Sequence, residues 1–571
     1  MSSEKRPKAI DLSHHVSDFA RRYAVSPLKG LQKYYGRDLI ALAGGLPSPD
    51  YFPFTSVSAN ILPVDAFPLT VPRASSPASA SSSAFGWLWR IFGGGAGRRD
   101  DTTTRIEVPR EPRPDDGGVN LAAALQYGPA TGLPRLQKFM HEFTERVYAP
   151  GYDNWTTLVH TGNTDGWGRI SKLLLNPGDT LLVEEWTYPS ALATALPIDV
   201  RWHGVPMDNQ GMRADALREI LAGWDVKSGP RPRVIYTVPV GQNPCGTTMG
   251  LERKKAIYDI CVEYDWWYKT LSSPEDDPYF FLQVGEFVPK SQRKAEREPP
   301  AGEEVSRFID SLVPSFLRVD TQGRVIRIDT FSKLEHTTTI APGARLGWFT
   351  CSPLFAERLE RIGETSAANP CGLGQALVVA LLTQWTFDGT STVATFSWIV
   401  LAEEFELFPA PDPASGGPAS LCAYRSGSLD EKTRTTRPLL SFVPPSSGMF
   451  VWVKLYFGDV PDKRDESDGS VLTPDRQFWE ELAEAGVLVG PGWIFSPASK
   501  LSLRGAPPAE ADRQIGHVRL SYTPSDYGDD APGHKDFRAD AQGILSCLGF
   551  IDRVYGMIVL FNWQNLLGRN G

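Results

Sequence analysis

The sequence predicts an α/β fold: a large domain with a mostly parallel central sheet covered by helices, followed by a smaller α+β domain. Three observations carry this expectation. Short runs rich in β-branched residues, LLVEE at 181–185, VIYTVPV at 234–240 and VIRIDTF at 325–331, are apolar on both faces, as doubly covered strands are. Helical stretches separate these runs, and strand–helix alternation builds an open sheet with helices on both sides. Beyond about residue 365 the pattern changes. MFVWVKLYF, VLVGPGWIF and HVRLSY alternate apolar and polar residues, which suits an antiparallel sheet with one solvated face.

A chain of 571 residues is too long for one hydrophobic core. Its formal charge of -9 excludes nucleic acid as the main partner, since phosphate binding needs a basic face. The six cysteines form no CxxC pair and no zinc-ligand spacing, so they read as reduced thiols of a cytoplasmic protein that binds no metal. No secretory signal opens the sequence, and VYGMIVLF near its end is too short to span a bilayer, which takes ~20 apolar residues.

Five segments are expected. Residues 1–54 form an N-terminal arm, and 55–118 a low-complexity insertion. RASSPASASSSA and PREPRPDDGG within that insertion bury too little apolar surface to offset their ordering entropy. Residues 119–365 form the large domain, 366–548 the small one, and 549–571 a divergent tail.

In an open sheet of this kind, ligands bind at the carboxyl ends of the strands. After LVHTG comes Asn163-Thr164-Asp165, opening a helix whose N-terminus attracts anions; alone it is an ordinary cap. LLVEE is followed by a turn bearing Tyr188, which alone reads as core packing. VIYTVPV is followed by a turn bearing Asn243, and a crowd of carboxylates stands at Glu275, Asp276 and Asp277. VIRIDTF runs into Ser332 and Lys333, with Arg345 beyond. A lone lysine is usually a solvated surface residue, but one at a buried strand end is not. A lysine, an arginine, a carboxylate, an asparagine and a helix N-terminus on one sheet suit an anionic, aldehyde-bearing, pyridine-type cofactor.

GGLPSPDYFPF, LQYGPATGLPRL, TGNTDGW, GQNPCG, EDDPY, DTFSK with TIAPGARLGW, GVLVGPGW and HVRLSY resemble, in this order, the signature blocks of fold-type-I aminotransferases. The resemblance is greatest to the fungal aromatic and the kynurenine/2-aminoadipate aminotransferases. It implies pyridoxal 5'-phosphate as cofactor and a homodimer. It further implies that Lys333 condenses with the cofactor aldehyde and moves the proton between Cα and C4′. Asp277 would pair with the pyridine nitrogen, Asn243 with the phenolic oxygen, and Tyr188 would stack on the ring. Asn163, Thr164, Thr330, Ser332 and Arg345 would hold the phosphate, with Tyr127 reaching it across the dimer. Arg519 would clamp the substrate carboxylate, and Gly45 would let the arm approach the substrate. The implied reaction moves the amino group of an aromatic L-amino acid, kynurenine or 2-aminoadipate to 2-oxoglutarate. The same residues would serve a lyase, or an impaired relative.

Three departures from the family pattern bear on the site. Leu334–Thr338 (LEHTT) intervenes between Lys333 and TIAPG and moves Arg345 five residues along; either the extra residues loop out or Lys333 is displaced. WWYKTLSSP at 266–274 does not suit a central strand. The tyrosine expected three residues after the pyridine-binding aspartate falls on Phe280, which would cost the cofactor a hydrogen bond.

Overall fold

The computed structural model describes residues 5–24, 45–61, 103–112, 118–268, 273–283, 285, 309–332, 342–385, 421–429, 436–457, 460–464, 471–484, 487–497 and 515–521. The segments 62–102 and 549–571, Lys333 and the LEHTT stretch lie outside them.

Before the large sheet, β1 (Ser56–Ile61) and β2 (Thr104–Pro109) pair as an antiparallel ribbon. The central sheet is built from β3 (Thr156–His160), β4 (Thr180–Glu184), β5 (Arg201–Val205), β6 (Val234–Tyr236), β7 (Ser273–Asp276), β8 (Val325–Thr330) and β9 (Gly347–Cys351). Their order is β3-β9-β8-β7-β6-β4-β5, with β9 antiparallel to both neighbours and the other pairs parallel. Every residue of β4, β8 and β9 is buried, as their apolar runs predict.

Helices cover both faces. On one, α1 (Pro134–Val147) lays down Leu136, Met140, Phe143 and Val147, a helical stripe. On the other, α2 (Asn163–Leu174) and α3 (Pro189–Ala195) pack Ile170, Leu173, Leu174 and Leu192 against the sheet. Further cover comes from α4 (Ala214–Ala222), α5 (Leu251–Tyr268), α6 (Pro353–Glu364) and α7 (Gly372–Gln384). The small domain holds an antiparallel sheet of β10 (Leu421–Leu429), β11 (Thr436–Phe442), β12 (Phe450–Tyr456), β13 (Gly490–Pro491) and β14 (Ile515–Ser521), in the order β10-β11-β12-β14-β13. Helix α8 (Pro474–Glu484) completes its own core through Phe478 and Leu482.

Three expectations are corrected. The ends of the 55–118 insertion are ordered strand: in TRIEVP, Ile106 and Val108 alternate inward and are buried. Helix α7, assigned by sequence to the small domain, sends Val378 and Val379 into the large-domain core, so the domain boundary falls beyond it. Ser273–Asp276 is a central strand despite Pro274. The proline has no N–H to offer β6, and the pairing between β6 and β7 is a single parallel bridge, Thr237 to Glu275, in which the Pro274 carbonyl still accepts from Thr237 N at 3.4 Å.

Candidate active site

A cavity of about 430 Å³ opens where β6, β7 and β8 end and α2 begins, with Phe450 and Arg519 of the small domain along its wall. This is where strand-end reasoning places a ligand.

One end of the cavity is an anion cup. Gly162 caps α2 at a φ of 99° with no side chain bonded to the first turn, so the N-terminal amides of α2 stay directed at the cavity. Gly162 N donates to His160 Nδ1 at 3.1 Å, and burial pushes the His160 imidazole down to about 3, which keeps it a neutral acceptor. The Arg345 guanidinium packs so closely on Gly162 that a Cβ there would collide with it. Arg345 itself has a φ of 47°, a conformation that costs a non-glycine residue about 1 kcal/mol or more and gathers at functional sites. Thr164, Thr330 and Ser332 complete the cup, and the Ser332 hydroxyl is buried with no partner among the described residues.

The structure overturns the assignment of Asp277. Successive residues of a strand face opposite sides of the sheet, so Glu275 and Asp277 share one face and Asp276 has the other. Asp277 points away from the cavity into a fully buried charge cluster. There Arg327, 0% exposed, bonds Asp277 at 2.8 Å, Glu275 at 3.1 Å and Asp329 at 3.0 Å. The guanidinium stacks on Tyr148 at 3.9 Å and on Phe280 at 4.8 Å. The acid that faces the cavity is Asp276. Its two oxygens accept from Tyr236 Oη at 2.7 Å and Asn163 Nδ2 at 2.6 Å. The spacing problem disappears with this shift: three residues after Asp276 stands Tyr279, which lines the cavity, whereas Phe280 belongs to the Arg327 cluster. Asn163 is reassigned as well. Its side-chain amide is committed to Asp276, which leaves its backbone at the helix start for an anion.

On the facing wall, Arg519 Nη1 donates to Asn243 Oδ1 at 2.8 Å. Its guanidinium lies over Phe450 at 4.4 Å and Phe495 at 4.9 Å, and its Nε is buried with no partner among the described residues. No acid pairs with this arginine among the described residues, and burial lowers it from its ordinary value. Asn243 also bonds Tyr279, whose phenol is raised by burial and then by the charge of Asp276. Behind Asn243, the buried Glu184 accepts from Thr237 Oγ1 at 2.9 Å, Gln242 Nε2 at 3.0 Å and Val238 N at 3.3 Å. Burial raises its carboxyl to about 7.

The structure thus brings Asn163, Thr164, Tyr188, Asn243, Thr330, Ser332, Arg345 and Arg519 to one cavity. Gly45 and Tyr127 stay outside it: Gly45 has nothing within 4 Å of where a Cβ would stand, and Tyr127 is 71% exposed. Lys333 follows Ser332 in sequence and lies outside the described residues. The LEHTT insertion leaves Arg345 at the cup because both ends of its connection are tied, Phe331 N to Leu346 O at 3.1 Å. Sequence reasoning missed Asp276, Tyr279, Tyr236 and Glu184. Among the described residues, a guanidinium with no acid partner, a hydroxyl with no partner beside a helix N-terminus and a carboxylate on the same cavity match an anionic pyridine cofactor and a carboxylate-bearing substrate. The residues fit that group.

Comparison with known proteins agrees. The aminotransferase class I and II family matches residues 121–268. An aromatic amino acid aminotransferase of Schizosaccharomyces pombe is 32% identical over 460 residues, covering 78% of this chain and 82% of its own length. An L-tyrosine:2-oxoglutarate aminotransferase of Tapinella panuoides is 31% identical, covering 82% of this chain and 79% of its own. The crystal structure of an aminotransferase from Candida albicans superimposes with a TM-score of 0.67 at 29% identity, over 98% of both chains. Fold and site define a pyridoxal-phosphate enzyme of fold type I. The chain belongs to the aminotransferase class I and II family, and it is an aminotransferase.

Proposed function

We propose that this enzyme transfers the amino group of an aromatic L-amino acid (phenylalanine, tyrosine or tryptophan, with kynurenine or 2-aminoadipate as further donors) to 2-oxoglutarate. The observation that carries this reading is Arg519, a guanidinium beside two phenylalanine rings with no acid paired to it among the described residues. Such a group binds a carboxylate in bidentate fashion and leaves apolar surface beside it for an aromatic side chain. The names of the S. pombe and Tapinella relatives point the same way.

When bound, pyridoxal phosphate supplies an electron-withdrawing ring that makes the substrate Cα–H acidic. The protein's part is to hold and orient. The α2 N-terminus, Thr164, Thr330, Ser332 and Arg345 would hold its phosphate. Asp276, in place of Asp277, would face the ring nitrogen, Asn243 with Tyr279 the phenolic oxygen, and Tyr188 the ring. Lys333 would take up and return the proton of the substrate Cα, a task to which an amine is suited.

A homodimer belongs to the same proposal, with Tyr127 and the arm around Gly45 serving the partner's site. Support comes from the exposed apolar side chains of Leu46, Tyr51, Phe54 and Tyr127, and from the Gln126 amide bond to the Pro47 carbonyl at 2.8 Å. A cytoplasmic location is proposed too. Cys245, Cys261, Cys351 and Cys371 are free thiols, and no described helix is long and apolar enough to cross a membrane.

The test is an absorbance spectrum of the purified protein after incubation with pyridoxal phosphate. A visible band that Lys333→Ala abolishes, with 2-oxo acid formed only when 2-oxoglutarate is present, is the expected result. A colourless protein would sink the assignment, and ammonia released without 2-oxoglutarate would mean a lyase.

A further inference from the structure

Asp276 is held more elaborately than a carboxylate on a cavity wall requires. Oδ2 accepts from Tyr236 Oη at 2.7 Å, and Oδ1 accepts from Asn163 Nδ2 at 2.6 Å. The two donors come from different elements, Tyr236 from the end of β6 and Asn163 from the first turn of α2. Each is fixed in turn. The Tyr236 ring is fully buried and packs on Trp167 at 4.6 Å, and Trp167 is tied to the Ala191 carbonyl at 2.9 Å. Asn163 Nδ2 also reaches the Ile328 carbonyl at 3.4 Å on β8, the strand beside β7.

We infer that Tyr236 and Asn163 are positioning residues. Together they lock the plane and rotamer of Asp276, so that its carboxylate meets the cofactor ring nitrogen already oriented. The inference rests on the reading of Asp276 given above, and it names two side chains that act through that acid, the Asn163 backbone remaining part of the anion cup. Geometry is the argument. A free carboxylate swings about χ1 and χ2, whereas two donors arriving at separate oxygens leave one orientation. The cost of fixing the acid is then met on folding rather than on cofactor binding. Burial, with the Asp276 charge beside it, raises the Tyr236 phenol well above its usual value, so its hydroxyl remains a donor at working pH. The two clamps differ in kind. Tyr236→Phe keeps the ring and its packing on Trp167, whereas Asn163 is only partly buried, so Asn163→Ala leaves the core untouched.

The experiment titrates apo protein with pyridoxal phosphate, reading affinity from absorbance and stability from thermal melting. It uses the parent, Tyr236→Phe, Asn163→Ala, Asp276→Asn, and Asp276→Asn combined with each clamp variant. Removing one charge-assisted hydrogen bond from the acid weakens cofactor affinity about ten-fold in each clamp variant, with the apo melting temperature nearly unchanged for Asn163→Ala. The combined variants bind no more weakly than Asp276→Asn alone, because the clamps work through that carboxylate. Clamp variants that bind as tightly as the parent, or whose losses add to that of Asp276→Asn, overturn the inference while the reading of Asp276 stands. An Asp276→Asn protein with parental affinity overturns that reading itself, and the clamp with it.

Discussion

Asp276 and Asp277 are neighbours in sequence with opposite surroundings, and two conservative substitutions separate what each does. Asp276→Asn replaces the only acid that faces the cavity from β7 with a neutral group. We expect kcat/KM to fall about 100-fold or more, with unfolding by urea little changed. Asp277→Asn takes a charge from the Arg327 cluster, whose arginine has no route to water. It should cost about 3 kcal/mol of stability, by chemical denaturation, and leave cofactor affinity near that of the parent. The reverse pattern would restore the assignment made from sequence. That assignment went astray because the run Glu-Asp-Asp offers three acids, and only strand parity says which faces which way. The signal was present in the neighbouring strand, where Arg327 and Asp329 share a parity and call for buried acids opposite.

Among the elements, β4 and the turn after β6 form a unit around Glu184. Gln242 bonds Glu184 and, through its carbonyl and side-chain oxygens, receives the amides of Gly246 and Cys245, which shapes the turn that presents Asn243. Burial lifts the Glu184 carboxyl from its ordinary 4.5 to about 7. The folded protein therefore binds this proton more tightly than the unfolded chain. The contribution to stability is complete below about pH 4.5 and is lost as pH rises through 7. Glu184→Gln, which can still bond Thr237 and Val238, should remove this decline. Between pH 5 and 8 the parent should lose on the order of 2–3 kcal/mol relative to the variant, seen as converging melting temperatures at low pH and a more stable variant at high pH. Parallel pH profiles would refute it. The strands themselves were legible from their β-branched runs. The ribbon of β1 and β2 was not, because its six-residue halves are separated by a long segment of low complexity and only Ile106 and Val108 mark an inward face. Pro274 obscured β7 in the same way: composition counts a proline against a strand, while the structure needs only that its carbonyl still accepts.

For the whole molecule, the large and small domains share the cavity. The large domain brings the anion cup, Asp276 and Asn243, and the small domain brings Arg519 and Phe450. Strand-end reasoning located most of this, since a doubly covered parallel sheet leaves only its carboxyl edge open to a ligand. The supporting hydrogen bonds of Tyr236 and Glu184 were not legible, because they join residues 40 and 58 positions apart in sequence and no local pattern marks either pair. The domains meet at more than the cavity. Thr187 N donates to the Phe495 carbonyl at 2.8 Å, and Trp186 packs against Trp452 at 5.2 Å and His517 at 4.7 Å. Among the described residues, the arginine that the small domain brings to this seam has a neutral amide and two rings beside it and no acid, so small organic acids should compete for it. Acetate or formate in the assay buffer should therefore behave as a competitive inhibitor, raising KM for the amino donor while leaving kcat alone. Buffer choice would then bear directly on the measured efficiency of the enzyme.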